Sequence, residues 1–126
     1  VVTNQNDTFA AGDPRVLVIP VIDSNGQPVP LNGGAASEVK WVLGRDPKAA
    51  PLIIKTLTPP PLPGHGGITV NSNQASIALA ESDTINLATS RYGNVYFHEL
   101  TVTLLGGSPV SVCQGSITIM PSPAKP

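Results

Sequence analysis

The chain has 126 residues, the length of one ordinary domain and too short for two comfortable cores. Seven basic against eight acidic side chains leave a net charge of −1, which excludes recruitment of nucleic acid or an anionic membrane by a summed field. Hydrophobic residues make up 40%, enough to offset chain entropy, while only 12% are charged and 14 prolines and 12 glycines punctuate the chain, so the surface is one suited to being covered by neighbours. Val1 to Asp7 is polar and lacks the basic and apolar regions of a secretion signal, and Asn6-Asp7-Thr8 reads as a polar turn although it matches a glycosylation sequon. Arg15 to Ile22 is a run rich in Val and Ile, continuous enough to predict a central strand covered on both faces. Asp23-Ser24-Asn25-Gly26 tolerates positive φ and reverses the chain into Gln27 to Leu31, which Pro28 and Pro30 confine to an edge. After Gly33-Gly34, the stretch Ser37 to Leu43 alternates so that Val39, Trp41 and Leu43 share one face, with Trp41 pointing into the core. Asp46-Pro47 starts a turn, Leu52 to Leu57 is a short strand, and Pro59-Pro60-Pro61-Leu62-Pro63-Gly64 is a stiff, extended loop.

In the second half, Ile68 to Val70 and Ala75 to Leu79 flank the polar turn or bulge Asn71-Ser72-Asn73. Ser82 or Asp83 caps one short turn of helix running to Leu87. Tyr96 to Leu104 is the clearest strand, with Tyr96, His98, Leu100, Val102 and Leu104 on the core face. Gly106-Gly107 then makes a hairpin into Val110 to Ile119, where the apolar phase moves from Val110 and Val112 to Ile117 and Ile119, and Gly115 is the expected bulge. About seven or eight strands without βαβ alternation predict an all-β, immunoglobulin-like antiparallel β-sandwich over residues 1–120, with a small β-barrel as the alternative and 121–126 as a proline-rich tail.

The inventory for chemistry is thin. No nucleophile elbow accompanies the two histidines; His65 sits in a glycine-rich loop as a solvated residue or an interface contact, and His98 lies on the inner face of its strand as a hydrogen-bonded rim residue. Two His 33 positions apart and the single Cys113 supply neither a spaced metal-ligand set nor a disulfide, so the fold is expected to be stable in a reducing compartment without metal or cofactor. Asp23-Ser24-Asn25-Gly26 lacks the acidic series of a calcium loop, and Gly64-His65-Gly66-Gly67 lacks the Lys and helix start of a phosphate cradle. One Trp, two Tyr and two Phe without a basic stripe make no stacking platform for nucleic acid. The expectation is a protein that is not an enzyme.

The order of these segments resembles a known group. Gly12-Asp13-Pro14 before a Val/Ile strand, Asp23 to Val29, Leu31-Asn32-Gly33 and a Trp-bearing strand are similar to the small Ig-like domains of tailed-bacteriophage structural proteins. Ile77-Ala78-Leu79, Asp83 to Leu87, Tyr96 to Val102, a Gly-Gly hairpin and Gly115 to Ile119 resemble the N-terminal, particle-anchoring domain of baseplate upper proteins. The likeness spans about residues 10 to 121. It implies a virion component assembled in the host cytoplasm: an adaptor or anchor linking tail, neck or baseplate to fibres, or a capsid decoration protein. Its implied partners are other virion proteins and further copies of itself, with no nucleic acid and no membrane, and any receptor-reading domain is expected on another chain. The different class of function that shares the fold is a carbohydrate-binding or adhesion module of a bacterial protein. Because charge is scarce, contacts are expected from strand edges, the termini and the proline segments, with Pro59, Pro60, Pro61, Pro63, His65, Pro121 and Pro123 as candidate interface residues.

Overall fold

Two β-sheets face each other, and the computed structural model describes them through residues 3–33, 35–57 and 67–122. The larger sheet is built on the hairpin of β8 (Asn94–Leu104) and β9 (Val110–Met120), with β4 (Ala36–Gly44) antiparallel to β8 and β5 (Ile53–Thr56) antiparallel to β4. Its other edge is made by β1 (Thr3–Asn4) and β2 (Asp7–Ala10), which run parallel to β9. The smaller sheet has the order β3 (Arg15–Pro20), β7 (Gln74–Leu79), β6 (Ile68–Asn71), all antiparallel. Neither sheet closes on itself among the described residues, so the architecture is the sandwich and not the barrel.

Period-two alternation puts one face of each sheet inward. Val39, Trp41 and Leu43 of β4, Leu100 and Val102 of β8, Ile117 and Ile119 of β9 and Ile19, Ala75 and Ile77 of the opposite sheet are all buried in one cluster. Trp41 lies at its centre, fully enclosed. At the corner between β7 and β8, the Tyr96 hydroxyl donates to the carbonyl of Leu87, nine residues back. The strand order, the parallel N-terminal edge, the central Trp and this tyrosine corner are the marks of the immunoglobulin sandwich.

Several expectations change in the folded chain. The Val/Ile run is not a central strand: β3 lies at the edge of the smaller sheet, with Val16 59% and Val18 47% exposed. Gln27 to Leu31 forms no continuous strand and returns through the single bridge Ile22 to Pro28. The helical turn α1 is Glu81–Thr84, shorter than expected, and Asp83 acts from within it by accepting the Ala80 N–H at 2.7 Å. Leu104, at the end of β8, is exposed. The phase change in β9 falls at Val112 and Cys113, both buried, where the ladder with β8 slips between Leu100 and Thr101; Gly115 is not the bulge. The polar N-terminus supplies two strand segments that its composition hides, with Asn6 bridging them rather than turning: its Oδ1 accepts the Ser116 N–H at 2.9 Å.

Candidate interaction surface

One end of the sandwich carries an apolar groove of about 400 Å³, between the loop that follows β3 and the β8–β9 hairpin. Val21 and Val29 line one wall, Val102, Val110 and Val112 the other. Both walls are held by local bonds. The Asp23 carboxylate accepts the N–H groups of Asn25 and Gln27 at 2.8 and 3.0 Å, and Gly26 takes the positive φ that closes this turn. In the hairpin, Gly107 N–H donates to the Leu104 carbonyl at 2.8 Å and Leu105 N–H to that of Ala35 at 3.0 Å. This leaves Leu105 78% exposed beside exposed Leu104 and Val110. Three neighbouring aliphatic side chains in water at a hairpin tip, next to a groove of the same character, form a patch that favours a protein partner.

A second, smaller cavity of about 180 Å³ lies between the N-terminal segment and β3, lined among others by Asp7, Arg15 and His98. These groups are engaged inside the fold. Trp41 Nε1–H donates to His98 Nδ1 at 3.0 Å, which leaves the proton on His98 Nε2 to be donated to the Gln5 carbonyl at 2.7 Å. Burial holds the pKa of His98 below the usual histidine value, against the upward pull of the Gln5 carbonyl and the Asp7 carboxylate. Arg15 holds both carboxylate oxygens of Asp7, with two hydrogen bonds of 2.9 Å. Cys113 is buried, and desolvation raises its thiol pKa. Among the described residues no group of three or more His, Cys, Asp or Glu is placed to hold a metal ion, and no helix is long and apolar enough to cross a membrane.

Of the candidate interface residues, Pro59, Pro60, Pro61, Pro63, His65 and Pro123 lie outside the described residues, and Pro121 is exposed directly after β9. His98 is buried beside Trp41 with both ring nitrogens hydrogen-bonded, as its inner-face position predicts, and it lines the smaller cavity. The groove and the hairpin tip were missed, although Leu104-Leu105 directly before Gly106-Gly107 is a usable signal, since turns are ordinarily polar. Among the described residues Tyr92 is the only aromatic side chain that is largely exposed, and it stacks under its neighbour Arg91. No protein-family model matches the chain, and no curated protein matches it in sequence.

Proposed function

We propose that the protein is a non-enzymatic structural component of a bacteriophage particle, an adaptor or anchor that mounts one virion protein on another at the tail, neck, baseplate or capsid surface. The observation that carries this reading is the apolar groove and hairpin tip at one end of an immunoglobulin-like sandwich, with Leu105 and Val110 in solvent. The order of motifs along the chain, similar to particle-anchoring domains of phage proteins, supplies the context. Reactive side chains of the smaller cavity support a binding role over catalysis, because both nitrogens of His98 and the carboxylate of Asp7 already have partners inside the domain.

The test is mass spectrometry of purified particles produced with the wild-type chain or with Leu105→Glu combined with Val110→Glu. The wild-type chain is expected at fixed stoichiometry, and the variant, whose substitutions are at exposed positions, is expected to fold but be depleted from particles. Absence of the wild-type chain from particles rejects the reading.

A further inference from the structure

We infer that the edge of β3 left unpaired among the described residues is a pairing site for the same edge of a second copy of this chain, joining two three-stranded sheets into one of six about a twofold axis at Leu17. The ladder settles which groups are available. Val21 N–H donates to the Asn73 carbonyl, and Ala78 N–H donates to that of Gly67 on the far side of β7, so the residues of β3 whose backbone groups are bonded to β7 are 15, 17, 19 and 21. Alternation then turns the backbone N–H and C=O of Val16 and Val18 toward the open edge.

Native edges are ordinarily protected by shortness, a charged side chain, a proline, a bulge or a covering segment, and on β3 the prolines stand only at the two ends. Here the three strands of the smaller sheet contain one charged residue, Arg15, and it is engaged by Asp7 of the same chain. Val16 and Val18 stand in solvent instead. Prolines at 14 and 20 lack the N–H that would extend a ladder and so bound the edge at both ends.

The occupant follows from symmetry. The positions that face the open edge read Pro14, Val16, Val18, Pro20, the same in both directions about Leu17. An antiparallel copy therefore places Val16 against Val18 of the second copy and Val18 against its Val16, giving four backbone hydrogen bonds, and sets proline against proline where the ladder ends. Such an interface is isologous and closed, so it yields a dimer and not a fibre. The 180 Å³ cavity beside β3, bordered by Leu17, Ile19 and Ile117, receives the inward side chain of the second copy's Leu17. One short edge buries less than a standard interface, so the free dimer is expected to dissociate in the micromolar to millimolar range and to tighten when both copies are also held by other contacts.

The inference is independent of the virion reading, and its test uses the isolated 126-residue chain. Sedimentation equilibrium of the wild type should show a concentration-dependent dimer, with the amides of Val16 and Val18 gaining protection from hydrogen exchange as it forms. Val16→Lys with Val18→Lys should be monomeric with unchanged circular dichroism, as should Val16→Glu with Val18→Glu. An equimolar mixture of the two double variants should dimerise again, because opposite charges then face each other across the axis. A wild type that stays monomeric up to about 1 mM overturns the inference, as does a lysine variant that dimerises like the wild type. A monomeric chain that is nonetheless found in particles would remove this inference and leave the virion reading standing.

Discussion

His98 stands two residues after the corner tyrosine Tyr96 and accepts the indole N–H of Trp41 at 3.0 Å, in the place where an antibody-type domain carries the second cysteine of its disulfide. His98 thus stands at the position of that cysteine, but its bond to Trp41 joins the neighbouring strands β8 and β4 of one sheet and not the two sheets. Its consequence is a dependence on pH. The unfolded histidine titrates near about 6.5, whereas burial lowers the folded value, so the unfolded chain binds the proton more readily. Stability from this source is complete above the unfolded value and is lost as the pH falls through it toward the folded one. Thermal melting should lose up to about 1.4 kcal/mol per pH unit in that window, and His98→Gln should flatten the slope between about pH 7.5 and 5.5. Parallel slopes in the two proteins would place the titrating group elsewhere.

Trp41 should be the costliest core position. Trp41→Ala removes the largest buried side chain and should destabilise by about 3–5 kcal/mol in denaturant melts. Trp41→Phe retains much of the packing but leaves His98 Nδ1 without a donor, for about 1–3 kcal/mol. A melt barely changed by Trp41→Ala would contradict the central position of the ring.

The larger sheet was largely legible because its strands alternate cleanly: Val39, Trp41 and Leu43, then Tyr96, His98, Leu100 and Val102, face inward as their spacing predicts. The N-terminal strands were not, because only Phe9 in β2 is buried and apolar, and the segment is held through backbone pairing with β9 that leaves no hydrophobic period. For β3 the apolar content was read correctly and its meaning was not. Alternation shows that Val16 and Val18 share a face, but nothing in one chain's sequence tells a face covered by its own fold from one left open. At the hairpin tip Leu105 satisfies no internal periodicity, and the signal it does carry is its place directly before the turn Gly106-Gly107, where a polar residue is the ordinary occupant.

Gly115 offers a sharper test of how the N-terminal edge is attached. A Cβ built there would lie 1.9 Å from the Gln5 carbonyl oxygen, the group that accepts from His98 Nε2. Gly115→Ala should therefore displace residues 3–10 from β9 and strand the imidazole N–H, at a cost of about 1–3 kcal/mol for the lost partner alone. Cys113, opposite Thr3 in the parallel ladder, reports the displacement: its thiol should resist alkylation in the native wild type and react faster in Gly115→Ala. Gly106→Ala, where no atom lies within 4 Å, should pay only for its positive φ, about 1–2 kcal/mol, without exposing the thiol. Equal labelling in wild type and Gly115→Ala would mean that the segment accommodates the methyl group in place.

The last prediction concerns the character of the partner contact at the groove. Its walls are mostly aliphatic, with Ser24 and Ser108 as the neutral polar side chains, exposed Leu105 flanks it, and the acidic group in its lining, Asp23, is already engaged by two backbone N–H groups. Contact at this end should therefore depend on apolar burial and change little in affinity between about 50 and 500 mM salt, a range over which exposed ion pairs are strongly screened. Each large aliphatic side chain buried contributes about 1.5–3 kcal/mol, so Leu105→Asp should weaken attachment by about tenfold or more. Because Leu105 stands in solvent in the free protein, the same substitution should move the isolated fold by no more than about 0.5 kcal/mol. Binding of purified chain to particles lacking it, measured across the salt series, separates the two possibilities: steep loss with salt together with full binding by Leu105→Asp would shift the contact to a charged surface away from the groove.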